Sequence, residues 1–143
     1  PVEGANNGDF NRKSFWFYPW GKSVTHKGVD IFAPIGRKIF SASEGLVLSV
    51  GENERGGKYV LILGPKWRFH YYAHLQDIKT GRFAWVNHDS EIGTVGDSGN
   101  AKGNPSHQQY TIATIIPQVN YWGAEHQRWK KLFYVDPIPY IRQ

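Results

Sequence analysis

The chain has 143 residues, enough for one domain that buries roughly 68–70% of the surface its unfolded chain would expose. It has no cysteine, which excludes disulfides and thiolate metal sites and leaves His, Asp, Glu or carbonyl oxygen to hold any metal. Seventeen Lys and Arg against twelve Asp and Glu give a net charge of +5, which favours anionic partners, but the basic residues are scattered and form no arginine-rich arm, so nucleic acid is not an expected partner.

Residues 1–14 are polar and rich in Gly and Asn, and are expected to form a strap or linker rather than core. Pro1 at the start and the absence of Met suggest a processed or trimmed segment. Aromatic residues then crowd in from Phe15 to Trp20, where they serve either to wall a groove or to pack an edge. Short β-prone runs follow at Lys38–Phe40, Leu46–Val50 and Tyr59–Leu63, separated by Pro34, Gly36, Gly45, Gly56 and Gly57. Arg68–Ala73 and Tyr110–Ile116 extend the series, and sixteen glycines and eight prolines supply its turns. Helical character is confined to Ala124–Leu132. Pro137 and Pro139 suggest an extended closing segment over Val135–Ile141. No stretch approaches the roughly 18 consecutive apolar residues of a membrane span.

Three clusters carry candidate chemistry. His26-Lys27-Gly28-Val29-Asp30 sets an imidazole and a carboxylate four apart, and in an extended segment both fall on one face. Strand alternation places His70, Tyr72 and His74 on one face, His70 being expected to pack or be solvated more than to line a groove. His107 and Gln109, at i and i+2 after the turn-rich Gly99–Pro105, can aim at one point. His88, in Asn87-His88-Asp89-Ser90, and His126 are expected at the surface.

Order, spacing and neighbours together resemble the lysostaphin-like zinc endopeptidases. The resemblance runs from about Tyr18 to Ile112 through Pro19-Trp20-Gly21, His26-Lys27-Gly28-Val29-Asp30-Ile31, Ala33-Pro34-Ile35-Gly36, Gly45-Leu46-Val47, Tyr72-Ala73-His74-Leu75, Ile92-Gly93-Thr94-Val95-Gly96 and Ser98-Gly99-Asn100-Ala101. It implies a mostly β, antiparallel fold of the duplicated-hybrid-motif type, with little helix and a groove over the main sheet. Residues 15–143 would then form a single metallopeptidase-like domain, with 117–143 as a C-terminal extension. It also implies a Zn2+ ion held by His26, Asp30 and the last His of a His-x-His motif, with His74 and His107 as catalytic residues, one a general base and the other an acid or oxyanion stabiliser, in either order. Zinc acidifies water and polarises a scissile carbonyl, and neutral imidazoles move protons at physiological pH.

The chain departs from that pattern at Ser106-His107-Gln108-Gln109-Tyr110, where Gln109 stands in place of the second His and Gln108 in place of an apolar residue. An amide oxygen is uncharged and binds zinc less well than imidazole nitrogen. The expectation is an endopeptidase that hydrolyses cross-links or stem peptides of bacterial peptidoglycan, in the periplasm or secreted, impaired by Gln109. The alternative is a non-catalytic relative that binds wall peptides or regulates a partner hydrolase.

Overall fold

The structure is a computed structural model and describes residues 2–4, 28–114 and 134–141. His26, the aromatic run 15–20, the helical expectation at 124–132 and His126 lie outside them. Nine strands form among the described residues: β1 (Val29–Phe32), β2 (Lys38–Phe40), β3 (Gly45–Asn53), β4 (Gly57–Gly64), β5 (Arg68–Ile78), β6 (Trp85–Val86), β7 (Glu91–Val95), β8 (His107–Thr114) and β9 (Tyr134–Val135). One helical turn, α1 (Ile138–Ile141), follows. Every pairing is antiparallel. The main path runs β1-β8-β5-β4-β3-β6, while β7 pairs with both β2 and β5, and β9 joins β8 beyond the end of β1. The mostly β, antiparallel fold expected from the sequence is the one observed.

Alternation explains how these strands divide their residues. In β1, Val29 and Ile31 are fully buried while Asp30 and Phe32 face outward. In β8, Gln108, Tyr110 and Ile112 are fully buried, and His107 and Gln109 take the other face. The inward set meets Ile39 of β2 and Ile92 and Val95 of β7, so the core lies between the main sheet and the β2–β7 ribbon. Each such aliphatic side chain contributes about 1.5–3 kcal/mol on burial. No helix among the described residues is long and apolar enough to cross a membrane.

Both ends of the chain differ from expectation. Val2, within the anticipated strap, is buried in the core, bridges Ile39, and is followed by a Glu3 N–H bond to the Lys38 carbonyl at 2.8 Å. The closing segment is extended only at β9 and then turns into α1. Pro139 sits in the first turn of that helix, where a missing N–H costs nothing, and the Asp136 carboxylate caps the turn by accepting from Ile138 N–H at 3.0 Å.

Candidate active site

β8 is the central positioning element of the site. Asp30 is the register partner of Gln109 across β1–β8, and Ala73 is its partner across β5–β8. Close approach of β1 to β8 is secured at Gly28, where a Cβ would meet the Tyr110 carbonyl oxygen at 2.6 Å and the Thr111 side chain. At the other end of β1, the Ser106 hydroxyl donates to the Ala33 carbonyl at 2.6 Å, tying the strand to the start of β8. Asp30 and Gln109 are thereby held side by side.

His74 reaches the same place by a break in the strand. Between the pairs Val60↔Tyr72 and Lys58↔Leu75, two residues of β5 oppose one of β4. His74 is the second of them and has φ +62°, the left-handed region that non-glycine residues rarely occupy. This bulge corrects the expected shared face. His70 and Tyr72 point into the core against Tyr110, whereas His74 swings to the side of Gln109 and His107. His70 takes its packed role: it is fully buried, with Nδ1 2.6 Å from the Tyr110 hydroxyl.

The imidazoles are oriented by backbone carbonyls. His74 Nδ1–H donates to the Ser98 carbonyl at 2.8 Å, and His107 Nδ1–H donates to the Pro105 carbonyl at 2.9 Å. Each ring is fixed in one tautomer and directs Nε2 into the site. His107 Nε2 lies 3.8 Å from Asp30 Oδ1, His74 Nε2 lies 3.2 Å from Gln109 Oε1, and the two rings meet edge-on with centroids 4.9 Å apart. Phe32, register partner of His107, packs its ring against the imidazole at 5.5 Å. Burial holds the His74 pKa below the ordinary 6.5, and the neighbouring His107 ring acts in the same direction, against the Ser98 carbonyl, Gln109 and Asp30. A neutral His74 carries its lone pair at Nε2 and accepts from the Gln109 carboxamide turned to present its N–H; a protonated ring donates to Oε1.

Four of the five site residues inferred from sequence, Asp30, His74, His107 and Gln109, therefore meet at one locus, and the fifth, His26, lies outside the described residues. His88 is exposed and pairs with Asp89 at 3.0 Å. Sequence reasoning did not identify the carbonyls of Ser98 and Pro105 as anchors, although Gly57 and Gly99 mark the first of them. Gly57 has φ +61°, and a Cβ there would come within 2.5 Å of Gly99 N, so backbones touch where the Ser98 carbonyl is aimed.

For a metal, the described donors are an incomplete set. Asp30 and Gln109 supply one carboxylate and one neutral amide, and no three His, Asp or Glu side chains among the described residues are arranged to hold an ion. The spacing of His26 from Asp30 is what would complete it. These oxygen donors fit zinc, with the amide as the weak member.

The fold has the architecture of lysostaphin-type peptidases. The chain superposes on the catalytic domain of the antimicrobial peptidase lysostaphin from Staphylococcus simulans with a TM-score of 0.72, at 20% identity, over 94% of this chain and 92% of that one. It likewise superposes on the LytM protein from Ruminococcus gnavus, with a TM-score of 0.73 at 24% identity, over 99% of this chain and 58% of that one. The model of peptidase family M23 matches residues 24–120, and the chain belongs to that family. Among characterised relatives, the peptidoglycan DD-endopeptidase ShyC of Vibrio cholerae is 33% identical over 115 residues, covering 75% of this chain and 26% of that protein. The L-Ala--D-Glu endopeptidase of Bacillus subtilis is 32% identical over 140 residues, covering 94% of this chain and 40% of that protein. The chain thus spans less than half the length of either.

Proposed function

We propose that this chain is a zinc-dependent endopeptidase domain that hydrolyses peptide bonds of bacterial peptidoglycan, in cross-links or stem peptides, outside the cytoplasmic membrane. Family membership and the named activities of the relatives support the substrate class. The observation that carries the chemistry is the meeting of Asp30, His74, His107 and Gln109, with both imidazoles anchored through Nδ1 and turned with Nε2 into the site.

His26, Asp30 and Gln109 would hold zinc, which when bound activates water and polarises the scissile carbonyl. The chain's own residues do the remaining work. In the neutral His107 ring, Nδ1–H is committed to the Pro105 carbonyl and the lone pair lies on Nε2, placed to take a proton as general base beside the Asp30 carboxylate. His74, kept neutral by burial, is placed to hydrogen-bond the developing oxyanion or return the proton to the leaving amine. These two roles are exchangeable between the rings on geometry alone.

Gln109 favours a second reading, a non-catalytic domain that binds wall peptides or regulates a partner hydrolase, because its carboxamide is engaged by His74 where a strong zinc ligand is needed. Zinc titration and wall-lysis assays on wild type and Gln109→His decide between them. The peptidase reading expects the substitution to tighten zinc at least about tenfold and to raise hydrolysis. If wild type binds zinc as tightly as the histidine form, Gln109 is not the third ligand. If Gln109→His binds zinc well yet cuts nothing, the non-catalytic reading stands.

A further inference from the structure

The outward face of the main sheet carries a second feature, away from the catalytic locus. Trp85 of β6, Leu46 of β3, Leu63 of β4 and Phe69 of β5 are successive register partners, so their side chains stand in one row on one side of the sheet. Neighbouring strands lie about 4.8 Å apart, which makes the row about 14 Å long. None of the four is buried, whereas their chain neighbours Val47, Ile62 and His70 are fully buried on the other side. The turns that lead into both ends carry further aromatics. Trp67 stands two residues before Phe69, and Phe83 two before Trp85, with its N–H donating to the Val47 carbonyl at 2.7 Å. Trp67, Phe83 and Trp85 are 59%, 67% and 63% exposed.

Large rings left in water in one neighbourhood mark a surface that binds something. Backbone strain points to the same residues. Among the described non-glycine residues, positive φ is confined to Lys66, Trp67, His74, Phe83 and Asp89. His74 belongs to the catalytic locus, and Trp67 (φ +57°) and Phe83 (φ +69°) are exposed aromatics at positions that glycine would hold without strain. The row also shares its face with the catalytic locus. Phe69 lies four residues before Ala73, the register partner of Gln109, which is about 13 Å along β5. That is the reach of about four residues of extended peptide. Stem peptides branch from strands of N-acetylated amino sugars, so a stem held at the locus has its sugars at about this distance. Pyranose rings present C–H faces that stack on aromatic side chains. A row one side chain wide falls well short of the roughly 800 Å2 that each partner buries in a stable protein–protein interface. Arg82, its guanidinium 4.8 Å from the Phe83 ring centre, and exposed Lys66 bring positive charge to both ends, which suits a strand bearing peptide carboxylates.

We propose that the Trp85–Leu46–Leu63–Phe69 row, with Trp67 and Phe83 in the turns at its ends, binds the glycan strand of peptidoglycan by stacking its N-acetylated sugar rings, while the stem peptide runs to the Asp30–His74–His107–Gln109 locus; the choice of polymer rests on the peptidase reading above.

The test titrates the whole chain with the hexamer of N-acetylglucosamine, which has the acetylated sugars of the strand and no peptide. Saturable binding is expected, with Kd below about 5 mM. Trp85→Ala should weaken it about fivefold or more, since the ring that stacks is lost. Trp67→Gly should weaken it similarly while keeping or raising the denaturant midpoint, because glycine adopts left-handed backbone freely; a merely structural tryptophan would not separate the two readouts. With intact peptidoglycan, Trp85→Ala should slow hydrolysis, while a sugar-free cross-linked peptide is cut at the wild-type rate. Glycan binding needs neither zinc nor cleavage, so a chain that binds the hexamer and cuts nothing keeps this surface and loses only the catalytic reading. No saturation by about 20 mM would overturn the proposal. So would unchanged binding in folded Trp85→Ala and Trp67→Gly proteins, equal slowing of Trp85→Ala on the sugar-free peptide, or binding of anionic phospholipid vesicles in place of the hexamer.

Discussion

Packed between Tyr110 and Tyr140, His70 is held by burial, and secondarily by Arg68, at a pKa of about 4 against 6.5 in an unfolded chain. The unfolded chain therefore binds the proton first as pH falls. Stability from this residue is intact above pH 6.5 and is lost progressively down to about pH 4, by roughly 2–3 kcal/mol at pH 4.5. Denaturant unfolding at pH 7.5 and 4.5 should show this loss in wild type and not in His70→Leu, after subtraction of the change common to both. Gln108 is the other costly residue. It is fully buried on the core face of β8, its Nε2 donating to the Gln109 carbonyl while Oε1 has no partner. Gln108→Leu keeps the volume and removes the unpaired oxygen, so it should stabilise the fold by about 1–2 kcal/mol, read as a higher denaturant midpoint at unchanged slope.

The β5 bulge makes one strand serve two faces. Upstream of it, Arg68, His70 and Tyr72 point inward, whereas His74, one residue out of phase, joins the outward site. Its position is supported on both sides: His74 N–H donates to the Gly56 carbonyl at 2.7 Å, and its ring is tied to the Ser98 carbonyl. The turn at Gly57 and the Ser98–Gly99 segment must touch for this to hold, and the Ser98 hydroxyl secures the contact by accepting from Lys58 N–H at 3.0 Å while donating to the Leu75 carbonyl at 2.8 Å. Gly57→Ala combines a left-handed φ with a clash against backbone. It should cost more than about 2 kcal/mol by thermal or denaturant unfolding, and should lower wall hydrolysis more than stability alone explains, measured at a temperature where the variant remains folded. A fully active, stable Gly57→Ala would mean that the bulge does not depend on this contact.

For the molecule as a whole, a net charge of +5 on a domain proposed to act on an anionic wall makes encounter electrostatic. Binding to isolated peptidoglycan should weaken as sodium chloride is raised from about 20 to 300 mM, because the Debye length falls below the spacing of exposed charges. Salt-independent sedimentation with peptidoglycan would point instead to aromatic contacts. The strands at Lys38–Phe40, Leu46–Val50, Tyr59–Leu63 and Arg68–Ala73 were legible in the sequence because side-chain period and turn residues are local properties. So was the pairing of His107 with Gln109, which needs only regular alternation at the start of β8. The face of His74 was not legible, since alternation assumes an unbroken period of two and the bulge is set by a contact between Gly57 and Ser98, 41 residues further along the chain. Nor was the terminal turn, where Asp136 caps a helix that two prolines had seemed to forbid. By itself the sequence determined five of the nine strands, the family and the residue types available for chemistry, all of which follow from local order and spacing. Only the tertiary structure decided which side of the sheet each histidine serves, because that depends on register between strands distant in sequence.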